Sequence, residues 1–327
     1  MKAIVCRKYG PPEVLELKEV EKPTPKDDEV LIKVQAVSVN RSDWEALIGT
    51  PLYARIGGLL RPRHKIFGSD IAGRVEMAGR NVTRFRPGDE VFGDNSLGGM
   101  GGFAEYVCAR ESTLALKPAS MTFEEASTIP QAAVIAVQGI RDKGKVKPGQ
   151  KVLVNGAAGA TGTFAVQLAK SYGADVTGVD DTAKLDFMRS LGADHVIDYT
   201  KEDFTKNGQQ YDLILDVVAH SSVFAYKRAL RPNGSYFAVG GSVARLLQIL
   251  LLGPWIRITT GKKIRILAVL PNLKDMEYMT ELCEAGKIVP VIDRRYPLSE
   301  VPEALRYLGE GRVKSKVVIA VGHDNQT

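Results

Sequence analysis

The residues best placed to do chemistry form a small-residue segment, Gly156-Ala157-Ala158-Gly159-Ala160-Thr161-Gly162. It follows the apolar run 151–154 and opens a stretch in which Phe164, Leu168 and Tyr172 recur at helical spacing. Small residues let the backbone approach a pyrophosphate, and a helix N-terminus offers free N–H groups. The pattern predicts a dinucleotide site formed by Gly156, Ala158, Gly159, Ala160, Thr161 and Gly162. The alternative is a tight strand-to-helix turn that binds no ligand.

Two carboxylates follow at the distance where a ribose would be recognised. Asp180 ends the next apolar run, 18 residues beyond Gly162, and Asp181 stands beside it. A carboxylate there accepts both ribose hydroxyls and repels a 2′-phosphate, which favours NAD(H). Lys184 could instead reach such a phosphate, so NADP(H) is the alternative cofactor. Asp181 or Thr182 could also cap the next helix, and both roles are compatible.

Other elements must position this turn. After about residue 121, apolar strand patterns alternate with helical ones, which is typical of a doubly wound parallel sheet, the Rossmann fold. The first 120 residues instead contain short strands with frequent Gly and Pro, which indicates a barrel-like β-rich domain. The apolar run 317–321 near the C-terminus again has the pattern of a strand of the β-rich domain. We therefore predict an α/β fold in which a Rossmann domain, residues 123–269, is inserted into a β-rich domain made of residues 1–122 and 270–327.

Composition restricts the partners. The net charge is +6, but acidic and basic residues alternate along most of the chain, which argues against nucleic-acid binding. Three dispersed cysteines, Cys6, Cys108 and Cys283, fit a reduced cytoplasmic protein. The most hydrophobic run, residues 246–256, contains Gly253-Pro254 and is shorter than the roughly 20 residues of a membrane span. We expect no membrane partner, and interpret this run as a pocket wall or a subunit contact.

Several motifs resemble those of the medium-chain dehydrogenase/reductase superfamily, in its zinc-free quinone oxidoreductase branch. They span almost the whole chain and are, in order, Tyr9 to Leu15, Asn40-Arg41-Ser42-Asp43, Gly68 to Val75, Phe85 to Gly93, Gly102 to Val107, the glycine-rich segment, Leu191 to Tyr199 and Val239-Gly240-Gly241. The chain is similar to bacterial NAD(P)-dependent alcohol dehydrogenase-like proteins and to mitochondrial reticulon-interacting reductases. The resemblance implies that the β-rich domain is GroES-like and that the protein is a homodimer joined at the edge of the nucleotide-domain sheet.

The resemblance also implies roles for individual residues. Asn40 and Asp43 match an Asn-x-x-Asp motif that borders the nicotinamide pocket. The implied cofactor contacts are Lys184, Tyr199, Val218, Gly240, Gly241 and Lys316. Ala219 and Ser315 depart from the family's glycines, and Ile135 departs from its pocket threonine.

Both zinc sites of the metal-dependent relatives are absent from the sequence. Asn40 stands where those relatives have a catalytic Cys, and Ser69 stands where they have a His. Zinc prefers thiolate and imidazole ligands, so we expect no metal. The stretch 94–102 also lacks the cysteines of a structural zinc lobe.

A site without a Lewis acid favours electron-poor acceptors over simple alcohols. We therefore predict hydride transfer to a quinone or an α,β-unsaturated carbonyl, with Asn40, Asp43 and Tyr53 as candidate catalytic residues. Asp43 could equally orient its neighbours, Trp44 could be core or substrate platform, and Tyr53 could be an ordinary loop residue. The alternative functions are an alcohol or aldehyde dehydrogenase and a dinucleotide-binding regulatory protein.

Overall fold

The computed structural model describes residues 1–55 and 58–322 of the 327-residue chain. It divides into two compact units. Unit 1 comprises Met1–Gln131, Pro271–Glu284 and Pro290–Thr327, and unit 2 comprises Ala132–Leu270 and Ala285–Val289. The inserted α/β unit agrees with the predicted fold class. Its first boundary falls after Gln131 rather than after residue 122, because the helix Phe123–Ser127 packs against strands of unit 1.

The N-terminal part of unit 1 is built mainly of strands. Its elements are β1 (Lys2–Cys6), β2 (Leu15–Glu19), β3 (Glu29–Val39), α1 (Arg41–Ile48), β4 (Asp70–Ala78), β5 (Glu90–Asp94), β6 (Tyr106–Arg110), β7 (Leu114–Leu116) and α2 (Phe123–Ser127). β3 is the central strand, because it pairs antiparallel with both β4 and β6. Its apolar residues are all buried, and the strand runs through the centre of the hydrophobic core of unit 1.

Unit 2 is a doubly wound sheet, as predicted. Its elements are α3 (Ala132–Val137), β8 (Lys151–Asn155), α4 (Ala160–Ser171), β9 (Asp175–Asp180), α5 (Leu185–Ser190), β10 (His195–Asp198), β11 (Tyr211–Asp216), α6 (Val223–Ala229), β12 (Leu230–Ala238), α7 (Val243–Thr260) and β13 (Lys263–Ile266). The strand order is β10-β9-β8-β11-β12-β13, and every pairing is parallel. The chain therefore reverses its direction of winding between β8 and β11, where open parallel sheets bind ligands.

The C-terminal elements complete unit 1. They are α8 (Leu273–Glu284), β14 (Ile292–Pro297), α9 (Val301–Gly309) and β15 (Lys316–Ala320). β15 pairs antiparallel with β3 and parallel with β14, which gives the sheet order β14-β15-β3-β4-β5-β7. Two segments far apart in sequence therefore lie side by side at the centre of this sheet.

The apolar run 246–256 lies within α7, an 18-residue helix that continues through Gly253 and Pro254. Pro254 is exposed, so water can hydrate the carbonyl that its missing N–H leaves without a partner. On the opposite side, the buried residues Ile249, Gly253 and Ile256 pack toward β13. By length and composition α7 is long and apolar enough to cross a membrane, and it is the one such helix among the described residues.

The contact between α7 and β13 requires a glycine. A Cβ added at Gly253 would lie 2.4 Å from the carbonyl oxygen of Ile264. Helix propensity favours Gly253→Ala by about 1 kcal/mol, but separating a helix from strand backbone costs more. We predict that Gly253→Ala lowers the free energy of unfolding by about 2 kcal/mol, measured by urea titration. Leu251→Ala, on the exposed face of the same helix, is the control, and a Gly253→Ala variant as stable as the wild type would contradict this packing.

Candidate functional site

The glycine-rich turn joins β8 to α4 at the carboxyl edge of the unit 2 sheet. Gly156 adopts a φ of +80°, which favours glycine, and its N–H donates to the Val179 carbonyl at 2.9 Å. A Cβ on Gly162 would lie 2.1 Å from the Gly156 carbonyl oxygen, so this turn closes only without a side chain there. Ala160 begins α4, whose first N–H groups lack intrahelical partners. The turn therefore has the shape and the donors of a phosphate cradle.

Asp180 is joined to this turn by a direct hydrogen bond. Its Oδ2 accepts the Ala158 N–H at 3.1 Å, and its Oδ1 accepts from the Asp181 N–H at 3.0 Å. Lys184 places its Nζ 3.1 Å from both Asp180 Oδ1 and Asp181 Oδ2. Burial opposes the charged form of Lys184, but the two carboxylates raise its pKa above the ordinary value. Lys184 is thus held between two carboxylates in this structure, where it offsets one of two negative charges.

The predicted contacts that follow other strands lie on the same edge of the sheet. Val218 follows β11, Gly240 and Gly241 follow β12, and Tyr199 follows β10. Because all these strands are parallel, their carboxyl ends share this edge. Tyr199 is exposed, and space is open beside the Cα of Gly240. Unit 2 therefore brings its predicted cofactor residues to one crevice.

Asp216 is a residue of this crevice that the sequence analysis missed. Its buried Oδ1 accepts from the Asn155 amide at 2.8 Å, from the Val218 N–H at 2.9 Å and from the Ala219 N–H at 2.7 Å. Its Oδ2 accepts from the Tyr236 hydroxyl at 2.9 Å. These bonds hold Ala219 at a φ of +51°, a backbone conformation that favours glycine. An acidic residue ending an apolar strand at the carboxyl edge was the available signal.

In unit 1, a buried network gathers around Lys316. The Lys316 Nζ lies 2.7 Å from Asn40 Oδ1 and 3.5 Å from Asp70 Oδ2, and its side chain is 0% exposed. The Asn40 amide donates to Ser69 Oγ at 3.4 Å, and the Gln131 amide donates to the same oxygen at 2.7 Å. Protein encloses the Lys316 ammonium completely, and the ammonium orients Asn40. The direct cofactor contact expected of Lys316 stays a prediction.

Asp43 also orients its neighbours. Its Oδ2 accepts the Asn40 N–H at 2.8 Å, which caps α1, and its Oδ1 accepts the Gly68 N–H at 3.1 Å. Its side chain is fully buried, so a direct catalytic role does not fit this structure, and the orienting role does. Burial raises the pKa of Asp43 to about 7 and the pKa of Asp70 to about 6. Lys316 partly offsets the rise at Asp70, and burial in turn lowers the pKa of Lys316.

Tyr53 differs from the other two candidate catalytic residues, because 37% of it is exposed. It lies in a short 3-10 turn, residues Leu52–Arg55, that follows α1. Burial and the nearby Glu45 carboxylate raise the pKa of Tyr53. The hydroxyl therefore stays protonated and acts as a hydrogen-bond donor. Trp44 is partly buried against the unit 1 core, which favours the core role over the substrate platform.

Comparison with known proteins identifies the family. Residues 26–119 match the alcohol dehydrogenase GroES-like domain, and residues 191–319 match the zinc-binding dehydrogenase family. The chain is 34% identical to the 2-methylene-furan-3-one reductase of Solanum lycopersicum, over 98% of this chain and 79% of that protein. It is 32% identical to the mitochondrial NAD(P)H oxidoreductase RTN4IP1 of Bos taurus, over 98% of this chain and 89% of that protein. The chain belongs to the medium-chain dehydrogenase/reductase superfamily.

A solved structure narrows the position within this superfamily. The quinone oxidoreductase from Coxiella burnetii matches with a TM-score of 0.89 and 28% identity, covering 98% of this chain and 99% of that one. The chain falls in the quinone oxidoreductase-like branch of the superfamily, and the predicted GroES-like and Rossmann fold class is confirmed. It is an oxidoreductase that uses a nicotinamide cofactor.

One matching family is named for zinc, but the residues of unit 1 do not fit that ion. The two positions that the family resemblance matches to zinc ligands carry the Asn40 amide and the Ser69 hydroxyl, both weak ligands for zinc. The Lys316 ammonium, 2.7 Å from Asn40 Oδ1, would repel a second cation. In residues 1–55 and 58–322, no group of three His, Cys, Asp or Glu residues could hold a metal.

The buried carboxyls of unit 1 predict that stability falls as pH rises. The ordinary pKa of Asp43 and Asp70 is 3.8, whereas folding raises these values to about 7 and about 6. The folded protein therefore binds more protons than the unfolded chain, and stability is lost as pH rises through the folded pKa values. We expect the urea midpoint to fall as the pH rises from about 4 to about 7, and to level off above that range.

Two variants test whether the titration of Asp43 causes this pH dependence of stability. Asp43→Asn removes a carboxyl whose pKa folding raises to about 7, so it should flatten the profile even though it lowers stability at acidic pH. Asp27→Asn, at an exposed carboxylate paired with Arg80, should leave the profile unchanged. An Asp43→Asn profile as steep as that of the wild type would show that Asp43 does not titrate in this range.

Proposed function

We propose that this protein is a zinc-independent reductase that prefers NADH and transfers hydride to a quinone or an α,β-unsaturated carbonyl. The observation that carries the proposal is the hydrogen bond between Asp180 and the glycine-rich turn, which fixes a carboxylate beside the phosphate cradle. The network of Asn40, Ser69 and Lys316, where metal-dependent relatives bind zinc, supports the zinc-independent part.

The dinucleotide fits unit 2, and four features of the chain would hold it. The turn from Gly156 to Gly162 offers room and N–H donors for the pyrophosphate. Asp180 retains acceptor capacity on Oδ2 for a ribose hydroxyl, because that oxygen receives one hydrogen bond. The loop held by Asp216 presents Val218, and Gly240 leaves open space. When bound, the nicotinamide supplies a hydride.

The acceptor class follows from what the chain offers in place of a metal. Ketone and alcohol chemistry requires strong stabilisation of an alkoxide, which a zinc ion supplies in metal-dependent relatives. A quinone or a conjugated enone spreads the negative charge, so hydrogen-bond donors are sufficient. Tyr53 is 37% exposed, and its hydroxyl is the donor that we assign to the acceptor oxygen. Lys316 and Asp43 act indirectly, by fixing Asn40.

The acceptor class is tested by steady-state assays of the purified protein. We expect turnover of NADH with a quinone or an alkenal, little oxidation of a simple alcohol, and activity within about twofold of the starting value after chelation. Loss of activity on chelation that zinc restores would contradict the proposal. Tight cofactor binding without turnover of any acceptor would favour a regulatory protein instead.

The cofactor preference is tested at the two carboxylates. Asp180→Ala combined with Asp181→Ser removes the repulsion of a 2′-phosphate and releases Lys184 to bind it. We expect the ratio of kcat/KM for NADPH to that for NADH to rise by about tenfold or more. Asp186→Ser is the control, because that exposed carboxylate pairs with Arg189 on α5. An unchanged ratio in the double variant would rule out this origin of the preference.

A further inference from the structure

The positive charge of this chain is concentrated in one segment. Between Val217 and Lys274 there are nine Lys and Arg residues and no Asp or Glu. The remainder of the chain has 35 basic residues against 38 acidic ones, so this segment accounts for the whole net charge of +6. The expected interspersion of charges therefore fails here. The segment contains α6, β12, α7 and β13 of unit 2.

The same segment exposes a long apolar surface. Leu247, Leu251, Trp255 and Ile258 recur every three or four residues along α7 and form one stripe, with Leu250 beside it. We call these five residues the outer stripe. Each is at least half exposed, with 74% for Leu251 and 85% for Ile258. Such a row of large apolar side chains marks an interaction surface.

Basic side chains border the outer stripe. Lys227 of α6 lies over the Trp255 ring, with its Nζ 5.7 Å from the ring centroid, and Lys262 Nζ is 2.8 Å from the Lys227 carbonyl oxygen. Arg257 and Arg265 are exposed. Within residues 1–55 and 58–322, neither arginine forms an ion pair with an acidic side chain. Their charges are therefore available to an external partner.

We propose that the outer stripe of α7 docks on the surface of an anionic lipid bilayer. An exposed apolar helix face bordered by Lys and Arg is suited to the boundary between headgroups and acyl chains, where tryptophan also partitions well. The helix lies on the bilayer and does not cross it, because Ile249, Gly253 and Ile256 stay packed toward β13. This proposal replaces the expectation of no membrane partner, and it does not depend on which acceptor the enzyme reduces.

A second copy of the chain is the competing occupant, since a homodimer was also expected. In a two-fold contact the same patch lies on both sides of the interface. Arg257, Lys262, Lys263 and Arg265 would then approach their own copies, without a carboxylate in the segment to compensate. Negatively charged headgroups complement this surface, whereas a second copy repels it. The homodimer itself stays a prediction.

Vesicle binding tests the proposal with the full-length protein. We expect co-flotation with vesicles of mixed phosphatidylglycerol and phosphatidylcholine, but not with phosphatidylcholine alone, and release at high salt. Leu251→Glu with Trp255→Glu, and separately Arg257→Glu with Arg265→Glu, should each lower the partition coefficient by about tenfold or more. Lys143→Glu with Lys147→Glu, an equal charge change elsewhere on unit 2, should have a much smaller effect. Unfolding midpoints confirm that each variant is folded.

A second readout reports the depth of insertion. Trp255 is one of two tryptophans, and the other, Trp44, is partly buried against the unit 1 core. Brominated phosphatidylcholine in the anionic vesicles should quench the emission of the wild type but not that of Trp255→Phe. Two results would overturn the proposal. One is equal binding to neutral and anionic vesicles. The other is a dimer that Leu251→Glu with Trp255→Glu converts to a monomer, without any vesicle binding by the wild type.

Discussion

The buried ammonium of Lys316 has to compensate carboxylates that have no access to water. Asp43 and Asp70 are fully enclosed, and removing a charge from water costs several kcal/mol unless a partner offsets it. Lys316 provides this partner from β15, while Asn40 and Asp70 come from the ends of β3 and β4. The network therefore depends on correct pairing of three strands. It also fixes Asn40, so the architecture of unit 1 and the geometry of its candidate site rest on the same interaction.

In unit 2, hydrogen bonds of polar side chains order the cofactor crevice. Its parallel strands bring Asn155, Asp180 and Asp216 to one edge, and each side chain there bonds to backbone or to another side chain of the crevice. Asp180, at the end of β9, bonds to the glycine-rich turn. Asp216, at the end of β11, bonds to the loop that follows it and to Asn155 at the end of β8. A cofactor crevice built in this way is ordered before the cofactor arrives, which lowers the entropic cost of binding.

The parts of the site that the sequence predicted are those encoded locally. The glycine-rich turn lies between a strand and a helix in continuous sequence, and Asp180 follows at a fixed distance, so pattern and spacing were sufficient. The orienting role of Asp43 was one of two alternatives, but its partner Gly68 and the contact of Lys316 with Asn40 were not accessible in this way. Lys316 reaches Asn40 across 276 residues of chain, and Asp43 accepts the Gly68 N–H across 25, so only the folded chain brings these groups together. The sequence indicated a pocket wall or a subunit contact at residues 246–256, but it could not assign the exposed face of α7, for another reason. An apolar run shows that a helix has something to bury, but not which of its faces the fold leaves open.

The pairing of β15 with β3 also determines when the sheet of unit 1 can be completed during synthesis. A ribosome makes Asn40, Asp43 and Asp70 well before it makes Lys316, and chains fold from the N-terminal side as they emerge. Until β15 is released, the growing sheet has an open edge at β3, and its buried acids lack their cation. The inserted unit, which needs only residues up to Val289, can fold meanwhile. The residues of unit 2 are thus complete in the nascent chain before the sheet of unit 1 receives its last strand.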